Sequence, residues 1–276
     1  MMITNLRSPI LIFLLIAFTG CQNRWDWIDA LPKPWILTET EVSEFLPEFQ
    51  SRFPDFNDRL KAFSLWQLGK PYELFKLGEE KEPDTDPIIR LDVSDCTVHV
   101  LTSLAFVQSS SWEEARQKMI KLHYKNYKPD FTTRWHFTSD RILSNPATAD
   151  ITKTLLPIEL LKTENVTLNQ KENGEELLDL NWKLDVEISY ISNNNINEKF
   201  LNKLPNVCGV AFVKESYFKS GIVIAHEGMM IDNQFLVHAS KVEGKTTKID
   251  FLDYYFKNPD GLFDGVMIYK FKPMDL

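Results

Sequence analysis

The apolar residues of this chain change their spacing once, and that change limits the folds open to it. Up to about residue 125 they recur every three to four positions, as in Phe56, Leu60, Phe63 and Trp66, which marks one buried helix face. Asp55 is placed to cap that helix and Gly69 to end it. Beyond residue 186 the texture is that of strands, over 186–191, 207–213, 221–231, 235–239, 246–249 and 266–271. A helical first half followed by an antiparallel second half is an α+β pattern, with helices packed on one face of an antiparallel sheet.

Within the helical half, Val98, Val100, Leu101, Leu104, Ala105 and Val107 form an apolar helix with almost no charge, which predicts the central, buried one. Ser111-Trp-Glu-Glu114 opens the next helix as a capping box, with Lys118, Lys121 and Lys125 toward its C-terminal end. Segment 163–179 is polar, carries Asn173-Gly174, and reads as a surface excursion.

The chain has 276 residues, 43% of them hydrophobic, enough for one elaborated domain, which we place at 38–276. A formal charge of −8 without a Lys/Arg-rich stripe excludes nucleic acid as the expected partner. At the N-terminus Arg7 precedes an apolar run from Pro9 to Phe18, too short to span a bilayer and suited to an export signal. Thr19, Gly20 and Cys21 follow, and this ending resembles a bacterial lipobox. The resemblance implies that residues 1–20 are removed and that Cys21 carries lipid, while the Trp- and Pro-rich composition after it makes 21–37 a tether that packs only partly. Gln22, where many inner-membrane lipoproteins have Asp, points to an outer-membrane anchor facing the periplasm. An uncleaved anchor or a buried apolar helix is the alternative.

In an oxidising compartment the remaining pair, Cys96 and Cys208, is first suspected of being a disulfide. Their neighbourhoods differ. Cys208 lies in an apolar stretch, where cysteine behaves as a small hydrophobe. Cys96 follows Asp95 at the first turn of the buried helix, where unpaired N–H groups and the helix dipole are expected to lower its pKa. Thiolate is the nucleophilic form, and the N–H of Cys96 is placed to hold an oxyanion. A lone cysteine at a helix start is nonetheless more often structural.

His226 and His238 raise the odds of chemistry. They lie on consecutive strands joined by Asp232 and Asn233, and they share a face only if the connection has odd length or a bulge. A three-residue loop at 232–234 pairs Ile231 with Phe235 and makes the histidines diagonal neighbours, with Cα atoms about 7–8 Å apart. His226 can then take the thiol proton while His238 holds its tautomer. The alternatives are two half-buried histidines at a sheet edge, or ligands of an adventitious metal. No Cys-x-x-Cys or His-x-x-x-His spacing supports zinc, so no metal or cofactor is expected.

Asp95-Cys96 opening a helix, His226 in a His-x-Gly strand, and His238-Ala239 twelve residues on together resemble the NlpC-type papain-like cell-wall hydrolases. Leu68-Gly-Lys-Pro-Tyr72, Leu91-Asp-Val-Ser-Asp-Cys96, Thr133-Arg134-Trp-His136-Phe, Asp150-Ile-Thr152, Ile188-Ser-Tyr-Ile191 and His238-Ala-Ser240 are similar to its N-acetylmuramoyl-L-alanine amidase-like branch, over roughly residues 60–256. The resemblance implies a papain-like α+β fold and hydrolysis of peptidoglycan or a muropeptide through a thioester on Cys96, with His226 as base and His238 orienting it. It also places Tyr72, Asp95 and Arg134 at the substrate, Arg134 meeting a stem-peptide carboxylate. A surface ion pair is the other reading of Arg134. His99 departs from the branch pattern and reads as a core or interface residue. Other outcomes remain open: a γ-D-glutamyl endopeptidase acting on stem peptides, a lipid acyltransferase or thioesterase, or an inactive lipoprotein that only binds.

Overall fold

Helix boundaries in the first half follow their caps. The structure, a computed structural model, describes residues 23–257 and 261–274, so the predicted export signal and Cys21 lie outside the described residues. Helix α1 (Arg24–Ala30) is capped by Asn23. A full capping box of Thr38 and Glu41 starts α2 (Glu39–Arg52), and Asp55 accepts from Asp58 N–H to start α3 (Phe56–Trp66). Gly69 follows at φ +95°, the left-handed geometry in which glycine carries no steric penalty. Helix α4 (Cys96–Phe106) is capped by Asp95. In α5 (Trp112–His123) Ser111 Oγ accepts from Glu114 N–H, but the Glu114 carboxylate reaches one residue further back, to the N–H and hydroxyl of Ser110.

Short 3-10 turns aside, the remaining α-helices and strands are α6 (Thr138–Ser144), β1 (Thr148–Asp150), α7 (Thr152–Leu155), β2 (Leu161–Leu168), β3 (Leu184–Ser192), α8 (Glu198–Leu201), β4 (Val207–Val213), β5 (Ile224–Ile231), β6 (Phe235–Ser240), β7 (Lys245–Asp250), α9 (Phe251–Phe256) and β8 (Gly265–Phe271). The strands form one antiparallel sheet in the order β2-β3-β8-β4-β5-β6-β7, with β1 also on β8.

Alternation along the central strands divides the core in two. Val207, Ala211 and Val213 of β4, Met229 of β5 and Met267 of β8 face α3, α4 and α5. Cys208, Val210, Phe212, Met230 and Ile268 point the other way, under Phe200 and Leu201 of α8 and Phe251 and Tyr255 of α9. The expectation of helices on one face is therefore corrected: the longer helices cover one face, and short helices cover the second. The sheet's inner strands are apolar on both sides, so an uncovered face would have left those side chains in water.

Segment 24–36, expected to pack only partly, rests on the helical layer at particular residues. Ile28 and Leu31 are buried, Trp25 and Trp27 lie 4.9 Å from Phe53 and Phe49, and Trp66 Nε1 donates to Pro32 O at 2.8 Å. One further expectation changes. The start of the supposed excursion at 163–179 belongs to β2, which pairs with β3 along its whole length. Its polar residues Lys162 to Asn165 are exposed, as an edge strand permits, because β3 supplies the backbone partners and the side chains need no core.

The helical layer centres on Phe63, which is fully buried, stacked on Phe106 at 5.4 Å and in contact with Phe49 and Trp66. Phe63→Ala should lower unfolding free energy by about 3–5 kcal/mol, measured by urea denaturation. A change below about 1 kcal/mol would mean that the layer repacks freely.

Candidate functional site

The approach to Cys96 is held from three sides. Gly69 N–H donates to Thr246 O, Thr246 N–H to Lys70 O and Tyr72 N–H to Gly244 O, which ties the 69–72 turn to β7. Ser94 N–H donates to Pro71 O, so the same turn grips the residue two before the cysteine. Asp95 then spends both carboxylate oxygens on backbone, Oδ1 accepting from Val98 N–H at 2.8 Å and Oδ2 from Phe75 N–H at 3.0 Å. This buried carboxylate thus caps α4 and pins the 74–75 loop beside the cysteine, which commits it before any substrate arrives.

The histidines meet as the odd loop requires. Asp232 and Asn233 take positive φ, Gln234 N–H returns to Ile231 O, and Ile231 pairs with Phe235, Met230 with Leu236 and Met229 with Val237. Strand pairing stops there, before Gly228 and His238, and α4 packs against both β5 and β6. His226 Nε2 and His238 Nδ1 lie 2.7 Å apart with the rings nearly perpendicular. The small residue between them keeps the strands close: a Cβ on Gly228 would stand 3.0 Å from both His238 Cβ and Val237 O and would push Leu236 Cδ1 aside. Phe212, Tyr254 and Phe263 surround the pair.

Cys96 and His226 line the same cavity of about 360 Å³. Both cysteines are free, Cys208 lying buried on the far face of the sheet. The expected lowering of the Cys96 pKa is corrected. Burial, followed by the negative charges of Asp95 and Glu227, pushes the thiol up to about 12, outweighing the hydrogen bond from Glu227 N–H that favours thiolate. Burial also lowers His226 to about 4, and burial with the charge of His226 lowers His238 to about 3. The resting pair is a neutral thiol and a neutral imidazole, suited to proton transfer during attack rather than to a standing ion pair.

Tyr72 lies on the other side of the histidines, in a second cavity of about 380 Å³ with Tyr254, and burial followed by the charges of Cys96 and Asp95 raises it to about 12. Arg134 lines the first cavity, but its Nη2 is held by Glu79 and by Asp84 Oδ2 at 2.7 Å, so the ion pair occupies the place expected for a ligand carboxylate. His99 is fully buried, with Nε2 3.0 Å from Ser64 Oγ. Among the described residues no cluster of three or more His, Cys, Asp or Glu could hold a metal ion, and no helix is long and apolar enough to cross a membrane.

One buried group escaped the sequence reading. Glu227, next to His226 but on the opposite face of β5, receives Arg141 Nη2 at 2.7 and 2.6 Å and Tyr269 OH at 2.7 Å, all buried. Strand parity carried the signal, since Glu227 alternates with Met229 and Ile231 toward the helices. Nothing local singled out Arg141.

Stability should report the neutral histidines. Their folded pKa values lie below the unfolded value of about 6.5, so between about pH 4 and 6.5 the unfolded chain binds more protons and stability rises with pH. Their contribution is complete above that window and lost on acidification. Urea midpoints should climb from pH 4.5 to 6.5, with a smaller slope in His226→Gln/His238→Gln; an unchanged slope would contradict the burial of neutral rings.

The fold is shared with solved structures. Protein LPG0564 from Legionella pneumophila, of the family DUF1460, is 21% identical with a TM-score of 0.71, over 85% of this chain and 95% of that one. An N-acetylmuramoyl-L-alanine amidase from Bacteroides uniformis is 20% identical with a TM-score of 0.64, over 79% and 99%. No curated protein matches. The AmiA-like family model, described as N-acetylmuramoyl-L-alanine amidase-like, matches residues 62–262, a span that holds Cys96, both histidines and the sheet strands from β1 to β7. The chain belongs to this AmiA-like, N-acetylmuramoyl-L-alanine amidase-like family.

Proposed function

We propose that the protein is a cysteine amidase with a papain-like, NlpC-type fold that cleaves the amide between N-acetylmuramic acid and L-alanine in peptidoglycan or a muropeptide. The observation carrying this reading is the 2.7 Å contact of His226 Nε2 with His238 Nδ1, which leaves His226 Nδ1 for a proton in the cavity that Cys96 also lines. Family membership supports the amidase class.

In this reading Cys96 Sγ attacks the lactyl carbonyl carbon while its proton passes to His226 Nδ1, with Nε2–H donating to His238 Nδ1 throughout. The backbone N–H of Cys96, at the first turn of α4, faces the developing oxyanion. Collapse breaks the C–N bond as His226 returns the proton to the leaving amine, leaving a thioester on Cys96. Water then attacks that carbonyl, gives a proton to His226, and the thiol is restored with release of the acid. A thiol whose pKa is held high fits this order, since no free thiolate waits in the empty cleft for an oxidant.

The N-terminal pattern extends the proposal to an exported protein, lipid-anchored through Cys21 to the outer membrane and facing the periplasm. Labelled palmitate should be incorporated by the wild type and not by Cys21→Ser; equal labelling would refute the anchor.

Digestion of purified peptidoglycan, followed by mass analysis, tests the activity. The wild type should release stem peptides with a free L-alanine amine. Cys96→Ala and His226→Ala should each lose about 10³-fold or more, and His238→Asn about 10–100-fold, since it removes only the orienting partner. Cleavage after D-glutamate would instead make it an endopeptidase, and full activity in Cys96→Ala would end the cysteine mechanism.

A further inference from the structure

The cleft has two lobes that meet at His226, and their unspent polar groups differ in kind. In the lobe that holds Cys96, charged side chains are already committed: Arg134 to Glu79 and Asp84, Glu227 to Arg141, and Asp95 to two backbone N–H groups. Three residues that line it carry a buried nitrogen with no hydrogen-bond partner among the described residues: His123 at Nδ1, Arg134 at Nε and Trp135, which also lines a neighbouring cavity, at Nε1. His123 is 6% exposed, and burial, then the charges of Arg134 and Arg141, keep its ring neutral. Apolar surface completes the wall. Phe75 is 78% exposed at the mouth, held at φ +57° with its N–H on Asp95, and Tyr217 stands across from the cysteine loop on the same cavity.

The second lobe, beyond the histidine pair, carries Lys241 and Lys257, both exposed and in no ion pair among the described residues, with Glu243 as its acidic lining residue. Its lining charge is positive, two lysines against Glu243, where that of the first lobe is negative, Asp95 and Glu227 against Arg134, and so disfavours an anionic ligand there. Each lobe, at about 360 and 380 Å³, falls within the range of small-ligand sites.

We infer that the cleft reads its substrate in two halves: the Cys96 lobe binds the neutral amino sugar on the acyl side of the scissile amide, and the lysine lobe binds the anionic peptide on the amine side. This rests on the amidase reading above, and the chemistry sets the direction. After C–N cleavage the acyl half stays bonded to Cys96 Sγ, so it must occupy that residue's lobe. The amine leaves past His226, which returns its proton, into the lobe shared by His226 and Tyr72. A hexosamine offers hydroxyl and acetamide oxygens to unpartnered N–H donors and a C–H face to aromatic rings. The peptide offers carboxylates, which the lysines attract in a salt-dependent way.

Titration calorimetry on Cys96→Ala tests this without turnover, using N-acetylmuramic acid methylamide and the dipeptide L-Ala-D-Glu as separate probes. Adding Trp135→Phe, which keeps the ring and removes the N–H, should weaken the sugar about 5-fold or more and spare the dipeptide. Adding Lys241→Glu and Lys257→Glu should weaken the dipeptide about 10-fold at low salt, less at high salt, and spare the sugar. The reverse pattern, or binding insensitive to both changes, would overturn the assignment. Wild-type cleavage is scored separately: the expected binding pattern without released amine would overturn the amidase reading and leave the two-lobed assignment standing.

Discussion

The contact between His226 and His238 exists because three residues, not two, close the hairpin between β5 and β6. Side chains alternate along a strand, so a loop shorter by one residue would turn one imidazole to the other face of the sheet. Asp232 and Asn233 make the odd closure possible by accepting positive φ, a conformation that Asn and Asp tolerate better than most residues. Pairing then lapses just where the imidazoles begin, and Gly228 lets the strands stay close while their ends diverge. The thiol of Cys96 approaches at that divergence, against the N–H of Glu227.

A buried ion pair stands behind this arrangement. Glu227 receives two hydrogen bonds from Arg141 and one from Tyr269, so its carboxylate is compensated within the protein. The Tyr269 ring lies over Gly209, where any Cβ would overlap it. The network therefore ties β5, β4, β8 and α6 together directly beneath the cleft. Breaking such a pair by removing one partner strands a buried charge, which makes it a point of rigidity for the adjacent base strand. The negative charge of Glu227 also contributes to holding Cys96 protonated.

Burial dominates the electrostatics of the site. It raises the thiol, lowers both imidazoles and brings Lys70, fully buried with its Nζ on Gln67 Oε1, down to about 7. The helix dipole that was expected to favour thiolate acts on Cys96 as well, but two nearby carboxylates and the loss of water act more strongly. Position on a helix is local information, whereas the acids that oppose it arrive from β5 and from the cap.

Residues close in the chain determined a good deal by themselves: the α3 and α4 boundaries through Asp55 and Asp95, the inner strands through their apolar runs, and the condition of an odd loop, met in the structure, for His226 and His238 to share a face. These depend on capping, alternation and turn geometry, which act over a few residues. Tertiary structure alone decided the rest. β2 became a strand because β3 offered its edge, the second face of the sheet was covered by helices of four to six residues, and 24–36 packed because Phe49 and Phe53 received its tryptophans. Arg134 was drawn into an ion pair with Glu79 and Asp84, and Arg141 with Glu227. Partners 50 to 86 residues apart leave no periodic trace in a sequence, because their attraction depends on distance and burial rather than on spacing along the chain.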